Sequence, residues 1–281
     1  MLSSRDAVLQ VLQTAELLQE ILLHLDMRSL LTAAQRVSRQ WRELITTSPP
    51  LQRALYFKPV VRAASRPTTL NPLLVKIFRL WFKPSRRHLR YAICHLHRDH
   101  FKRLPIAQAS RRQAFMHPTA TWRQMLVQQP PVLRLGYWGI SDRSQIPKNY
   151  IVTMQFEDGL RMDTFYDVAQ QWLCLEGSSF NVVWDPRVLP TEEKIRRSFS
   201  AHLEETDMQS FADDLQSLKS EAEIVLLCSV KERPPGERGE GSDYERDESF
   251  SGTFAYAPSG QGNHSNMIAE VDRSISILGL M

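Results

Sequence analysis

Two adjoining rows of apolar side chains near the N-terminus constrain the fold more than any other feature of the sequence. On a helix, one broad face would carry Leu17, Leu18, Ile21, Leu22 and Leu25. Thr14 is expected to cap that helix. Because a small module has a small core, one row is predicted to face inward and the other to stay exposed unless another surface covers it. An exposed apolar row of this kind is typical of a binding site.

Helical spacing continues as far as residue 57. A second helix is predicted from Leu30 to Val37, and a third helix, capped by Ser38, carries Trp41 and ends at Ser48-Pro49-Pro50. The connections between these helices are only a few residues long, so neighbouring helices are expected to pack closely. We therefore predict a three-helix domain at residues 10–57.

Three segments of this domain have a specific order of residues. They are Thr14 to Leu25, with its Glu-Leu-Leu, Ile-Leu and Leu, then Arg28-Ser29-Leu30-Leu31, and then Arg36 to Arg42, with a Val, a small residue, basic residues and a Trp. Together these segments resemble an F-box. Leu51 stands where the family often has a closing apolar residue. The family usually has a Leu-Pro pair or a Pro just before the Glu, whereas this chain has Gln13-Thr14-Ala15.

The resemblance implies a role in positioning other proteins. An F-box binds a Skp-type adaptor that sits on a cullin, and the rest of such a chain recruits a protein substrate for ubiquitin transfer. Since this role depends on proximity and orientation, we expect no enzymatic activity, no catalytic residue and no cofactor. The expected adaptor-binding residues are Leu17, Leu18, Ile21, Leu22, Leu25, Leu31, Val37 and Trp41. The sequence leaves open which of these face inward.

Residues 58–120 are predicted to form a basic connector. Prolines interrupt it from Pro59 to Pro118, and a short helix with packed aromatic residues is expected between Leu73 and Phe82. Residues 1–148 contain 24 Lys and Arg against 7 Asp and Glu, whereas residues 149–281 contain 11 against 24. This division indicates two functional halves, one half of the chain docking on the other, or simply two solvated surfaces of opposite charge.

From residue 121 onward the pattern is one of mixed helices and strands. Strands are expected at residues 132–138, 151–156, 180–184 and 224–230. Helices are expected after caps at Thr121, Asp163 and Thr191, and through Phe211, Leu215 and Leu218. We predict an α+β domain at 121–231, a disordered segment at 232–266 and a C-terminal segment at 267–281. The fold class is thus α+β: a three-helix F-box, a basic Pro-interrupted connector and a mixed C-terminal domain. Parts of residues 71–82 and 121–131 resemble fungal F-box proteins more weakly.

A nucleic-acid-associated regulatory protein is the alternative function, with the N-terminal helices serving only as a scaffold. The arginine-rich segment from Arg79 to Arg112 also contains Trp81, Phe82, Tyr91 and Phe101, and such combinations can bind phosphates and stack bases. The sequence contains no recognised nucleic-acid-binding motif, so nucleic acid is the less favoured partner.

Metal-binding and enzymatic functions have less support. Cys94, His95, His97 and His100 form a tract, but zinc needs about four ligands in a closed shell and no Cys-x-x-Cys pair accompanies it, so no metal site is predicted. The sequence lacks the nucleophile elbow, the phosphate-binding loop and the dinucleotide fingerprint.

The sequence also indicates the compartment. It has 3 widely spaced cysteines and no signal-peptide pattern, which favours a reducing compartment, so we expect the cytoplasm and/or the nucleus. It has no apolar run of 18 or more residues, so no membrane association is predicted.

Overall fold

The N-terminal part of the chain is a group of short helices. The computed structural model describes residues 4–62, 67–82, 96–97, 104, 108–142, 148–173, 178–189 and 205–231. The first elements are α1 (Ser4–Gln13), α2 (Ala15–Leu23), α3 (Met27–Thr32), a 3₁₀ helix (Ala34–Arg36), α4 (Arg39–Thr47) and α5 (Pro49–Ala54). Their shared core consists of Leu18, Leu22, Leu30, Ala34, Ile45, Leu51 and Leu55.

Local capping residues fix the starts of two of these helices, α3 and α4. The side chain of Asp26 accepts hydrogen bonds from the backbone N–H groups of Arg28 and Ser29 at 2.9 and 3.1 Å, and so begins α3. The Ser29 hydroxyl also donates to this carboxylate, which lowers the pKa of Asp26 below its ordinary value. Ser38 accepts from the N–H of Trp41 at 3.2 Å, as expected for the cap of α4.

The helix before Thr14 was not expected from the sequence. Thr14 does precede α2, but its side chain makes no cap hydrogen bond to that helix. Its hydroxyl instead donates to the carbonyl of Gln10 in α1 at 2.9 Å. The prediction that the Thr14 side chain caps α2 is therefore wrong, because the last turn of α1 offers the hydroxyl a nearer acceptor.

The remaining described elements form a mixed helix-and-sheet region. In chain order they are β1 (Thr69–Leu70), α6 (Pro72–Ile77), β2 (Leu96–His97), α7 (Ala109–Met116), a 3₁₀ helix (Thr121–Gln124), β3 (Gln128–Gln129), β4 (Arg134–Asp142), β5 (Lys148–Gln155), α8 (Met162–Leu173), β6 (Ser178–Val183), a 3₁₀ helix (Pro186–Val188), α9 (Glu205–Glu221) and β7 (Ile224–Lys231). The expected order of a helical N-terminal domain followed by an α+β region is thereby confirmed.

The main sheet has the strand order β2-β6-β7-β4-β5. β4 and β7 are parallel, and the other neighbouring pairs are antiparallel. In β7, Ile224, Leu226 and Cys228 belong to one core cluster, whereas Val225 and Leu227 belong to another. Because successive strand residues point to opposite faces, the sheet has a core on each face, and α8 and α9 contribute to different cores.

A glycine in β4 allows α9 to lie close to the sheet. A Cβ atom built on Gly136 would approach Leu218 Cδ1 of α9 to 2.5 Å and Ala222 Cβ to 2.9 Å. Both distances are shorter than side chains tolerate, so the helix could not keep this position over a larger residue.

Aromatic residues from the predicted connector lie in the core of the α+β region. The Trp81 ring stacks on Tyr166 with centroids 5.8 Å apart and contacts Phe165 and Phe180 edge-on at 5.6 and 5.1 Å. Phe78 packs against Trp81 at 5.4 Å. Residues on both sides of the predicted boundary at 121 thus share one core, and the boundary itself stays a prediction.

The helix expected after Thr121 is only a short 3₁₀ helix. Thr121 lies inside it and makes no cap, and Met125 already has an extended backbone with ψ 138°. Tertiary pairing overrides helical propensity here, since the N–H of Leu126 donates to the carbonyl of Tyr56 at 2.8 Å and Leu126 forms a β-bridge with Arg161. The helix expected after Thr191, the segments at 232–281 and the Cys/His side chains from Cys94 to His100 lie outside the described residues.

Candidate functional site

The two apolar rows of α2 have different environments. Leu18 and Leu22 are completely buried in the core of the N-terminal helices, whereas Leu17, Ile21 and Leu25 are 47%, 40% and 39% exposed. The expected division into an inward and an outward row is thus present in the structure. We refer to Leu17, Ile21 and Leu25 as the outward row.

The other three predicted binding residues lie in three different environments. Val37 is 61% exposed, and Trp41 is partly buried against the helical core. Leu31 packs against both the helical core and the core of the α+β region, as do Met27 and Phe57. Leu31 therefore lies at the junction between the two parts of the chain.

Helix α1 adds exposed apolar residues that sequence reasoning missed. Val8, Leu9 and Val11 are 56%, 48% and 37% exposed. Leu12 packs on the helical core, and the Gln40 side chain donates to the carbonyl of Gln13 at 3.2 Å, so the end of α1 is held against α4. Val8, Val11 and Leu12 have the i, i+3, i+4 spacing of a helix, which is the signal that could have revealed it.

Exposed apolar surface is concentrated in the N-terminal helices. Of the ten large apolar side chains that are exposed in the described part of the chain, the seven from Val8 to Val37 belong to this region. The others, Val61, Leu133 and Val188, are scattered. Scattered apolar residues are ordinary on protein surfaces, whereas a concentration on a small helical domain indicates a binding surface.

The helical domain is fixed to the α+β region by hydrogen bonds around Tyr56. Tyr56 has a left-handed backbone with φ 62°, and its hydroxyl lies 3.2 and 3.3 Å from Thr69 Oγ1 and the Leu70 carbonyl oxygen. The Gln129 side chain donates to the carbonyl of Lys58 and accepts from the N–H of Val60, both at 2.8 Å. The connection between the two parts is therefore held at several points.

Two described ion pairs join the basic half of the sequence to its acidic half. Arg62 donates to both carboxylate oxygens of Glu223 at 3.2 and 2.9 Å. Arg123 donates to Asp167 at 3.1 Å, and both of these side chains are largely buried. These contacts agree with docking of one half on the other, which is one of the readings of the charge division.

Within the described residues, no cluster of three or more His, Cys, Asp and Glu side chains could hold a metal ion. In the same part of the chain, none of the helices has both the length and the apolar character needed to cross a membrane.

The comparison with protein families identifies the helical domain. Residues 15–58 match the family model described as F-box-like. This range begins at α2, which carries the outward row, and ends just past Phe57 at the junction. No curated protein and no solved structure matches the chain. The chain therefore carries an F-box-like domain at residues 15–58.

Proposed function

We propose that this chain is a substrate-recruiting subunit of an SCF-type (Skp–cullin–F-box) ubiquitin ligase. The F-box-like domain suggests a general role in substrate recognition by such ligases. In this proposal, the Skp-type adaptor binds the outward row of α2 together with Val37. The observation that carries the proposal is the exposure of Leu17, Ile21 and Leu25 beside the fully buried Leu18 and Leu22.

The outward row has the physical character of a protein interface. Burying apolar area contributes roughly 25 cal/mol per Å², so a row of large aliphatic side chains on one helix supplies a substantial part of an interface. Leu18 and Leu22 support this surface from inside the domain but are themselves inaccessible to a partner. Of the predicted adaptor-binding residues, we therefore propose that the exposed ones, Leu17, Ile21, Leu25 and Val37, contact the adaptor.

The α+β region would hold the protein substrate and present it to the ligase. Its fixed connection to the F-box through Tyr56, Lys58 and Gln129 supports this role, because transfer between two bound proteins is favoured by a constant relative orientation. F-box domains are typically adaptor modules, and the proposed role requires no catalytic residue or cofactor. We place this activity in the cytoplasm or the nucleus, where the sparse cysteines would stay reduced.

Co-purification of the full chain with a Skp-type adaptor tests the proposal. Ile21→Asp places a charge in the outward row and is expected to weaken adaptor binding at least about a hundredfold, since an unpaired charge would be buried. Val188→Asp is the matched control, because Val188 is 50% exposed but lies in the α+β region.

The expected pattern is that the wild type and Val188→Asp retain the adaptor and Ile21→Asp loses it while unfolding at an unchanged temperature. Ile21 is suitable because its exposed position makes the substitution tolerable for folding, whereas Trp41 also packs on the core. Failure of the wild type to bind any Skp-type adaptor would refute the proposal.

A further inference from the structure

A cleft of about 770 Å³ lies at the junction between the F-box-like domain and the α+β region. The F-box side contributes Leu31 and Gln35, the connecting turn contributes Phe57, Lys58 and Pro59, and the α+β side contributes Gln124 and Asp158. This volume is within the usual range of ligand-binding sites, roughly 300–1,000 Å³. The outward row of α2 contributes nothing to the lining, so the cleft and that surface are separate.

The walls of the cleft are held in place by internal hydrogen bonds. The Arg161 guanidinium donates to the carbonyls of Phe57 and Gln124, which joins the connecting turn to the α+β wall. The Gln52 side chain donates to the carbonyl of Ile45 at 2.7 Å and fixes the F-box wall. A ligand would therefore meet a site that is already formed, which lowers the entropic cost of binding.

The turn that carries Asp158 is also fixed. Gly159 has φ 92°, a conformation that residues with a side chain rarely adopt, and a Cβ atom at this position would collide with Pro131. Asp158 is consequently held at the cleft by a turn that the packing of its neighbours dictates.

Several polar side chains of the cleft are available to a ligand. Among the described residues, no hydrogen bond or ion pair engages the side chains of Gln35, Gln124 and Asp158. Each carboxamide has donors and an acceptor, so the pair of glutamines complements the N–H and C=O groups of an extended peptide backbone. Leu31, Phe57 and Pro59 supply apolar contact for its side chains.

The carboxylate of Asp158 favours a basic residue in that peptide. Two carboxylates, Asp158 and Asp163, and two cations, Lys58 and Arg161, line the cleft, so the preference rests on Asp158 and not on the net charge of the lining. Arg161 is committed to the backbone carbonyls of Phe57 and Gln124, and Asp163 accepts from Thr164. The exposed carboxylate of Asp158 is open to a lysine or arginine side chain from a ligand.

We propose that this cleft binds an extended polypeptide segment of the recruited protein, with a lysine or arginine of that segment against Asp158. The proposal rests on the recruiting role proposed above and names the substrate-binding site of the chain. It assigns substrate contact to the boundary between the two parts and not to the α+β region alone.

Selection from a displayed library of random peptides against the purified full chain tests this assignment. Affinities of the recovered peptides are then measured by fluorescence anisotropy for the wild type, Asp158→Lys and Gln124→Trp. The recovered peptides are expected to contain Lys or Arg, and Asp158→Lys is expected to weaken their binding at least about tenfold through charge repulsion. Gln124→Trp should weaken binding by filling the cleft.

Asp214→Lys is the matched control, because it makes the same charge change at an exposed residue of α9 away from the cleft. It is expected to leave affinities within about twofold of the wild type. Recovery of no peptide, or peptides that both cleft variants bind as well as the wild type, would overturn the assignment. Adaptor co-purification is measured separately on the same proteins, so loss of the ligase role and loss of the peptide site give different results.

Discussion

Asn71 combines two structural roles in one buried side chain. Its Oδ1 accepts from the N–H groups of Leu73 and Leu74 at 3.1 and 3.2 Å and begins α6. Its Nδ2 donates to the carbonyl of Leu126 at 3.1 Å, and its side chain is completely buried. One residue therefore holds a helix start and joins that helix to the segment before β3.

Replacement of Asn71 by Ala should be more costly than loss of an ordinary cap. Asn71→Ala removes the cap and leaves a buried carbonyl without its donor, so the free energy of unfolding is expected to fall by about 2–3 kcal/mol. Ser38→Ala, which removes an exposed cap, is expected to cost about 1 kcal/mol. Urea unfolding of both variants measures the difference, and equal losses would contradict the dual role of Asn71.

Capping residues show how far local sequence determines structure. Asp26 and Ser38 begin helices near where their residue types predict, because the groups they bind are only two or three residues away. Thr14 and Thr121 looked equally suitable, but neither side chain caps its helix. Their surroundings are set by α1 and by pairing with Tyr56 and Arg161, which short-range patterns do not contain.

Helix α2 was predictable as an element but its orientation was not. The spacing of its leucines was sufficient to predict a helix with two apolar rows. The inward position of Leu18 and Leu22 depends on where α4 and α5 pack, and the sequence spacing is nearly symmetrical between the two rows. The sequence likewise does not show which way Leu31 faces. We predicted that it binds the adaptor, and in the structure it packs at the junction between the two parts.

The contact between β4 and α9 gives a prediction for an element pair. Gly136→Val is expected to lower the free energy of unfolding by about 1–3 kcal/mol, because the new side chain would overlap Leu218 and Ala222. Shortening the opposing residue in Gly136→Val/Leu218→Ala should recover part of the loss, so the two effects should not add. Chemical unfolding of the two single variants and the double variant measures these free energies. If the losses of the two single variants simply add up in the double variant, the contact between residues 136 and 218 does not cause the destabilisation.

The two parts of the molecule depend on each other through Phe57. Its side chain packs against both cores, together with Met27 and Leu31. The F-box-like domain has only a small core of its own, so it should be the less stable part once this contact is lost.

Phe57→Ala is expected to destabilise the F-box-like domain more than the α+β region. Amide hydrogen exchange should speed up in α2, α3 and α4 while β6 and β7 remain protected, because local opening follows the loss of local contacts. Hydrogen exchange detected by mass spectrometry measures this, with Val188→Ala as an exposed control. An equal acceleration in both parts would show that they open as one unit.

The strand order of the main sheet could not be predicted from sequence patterns. The strands β4 to β7 lie close to their predicted positions, since alternation and apolar runs are local signals. Their order, and the parallel pairing of β4 with β7, depend on packing between residues far apart in the chain. The aromatic residues from Phe78 to Phe82 had no identifiable partners in sequence for the same reason.

The position of β7 has a consequence for synthesis of the protein. It lies between β6 and β4 in the sheet, yet it is the last of the described strands to leave the ribosome. At a synthesis rate of roughly 5–20 residues per second, the edge of β4 in the β4–β5 hairpin stays unpaired for several seconds before β7 is made. Nascent chains truncated before Ile224 should therefore need chaperone protection against aggregation, and chains extending past Lys231 should not.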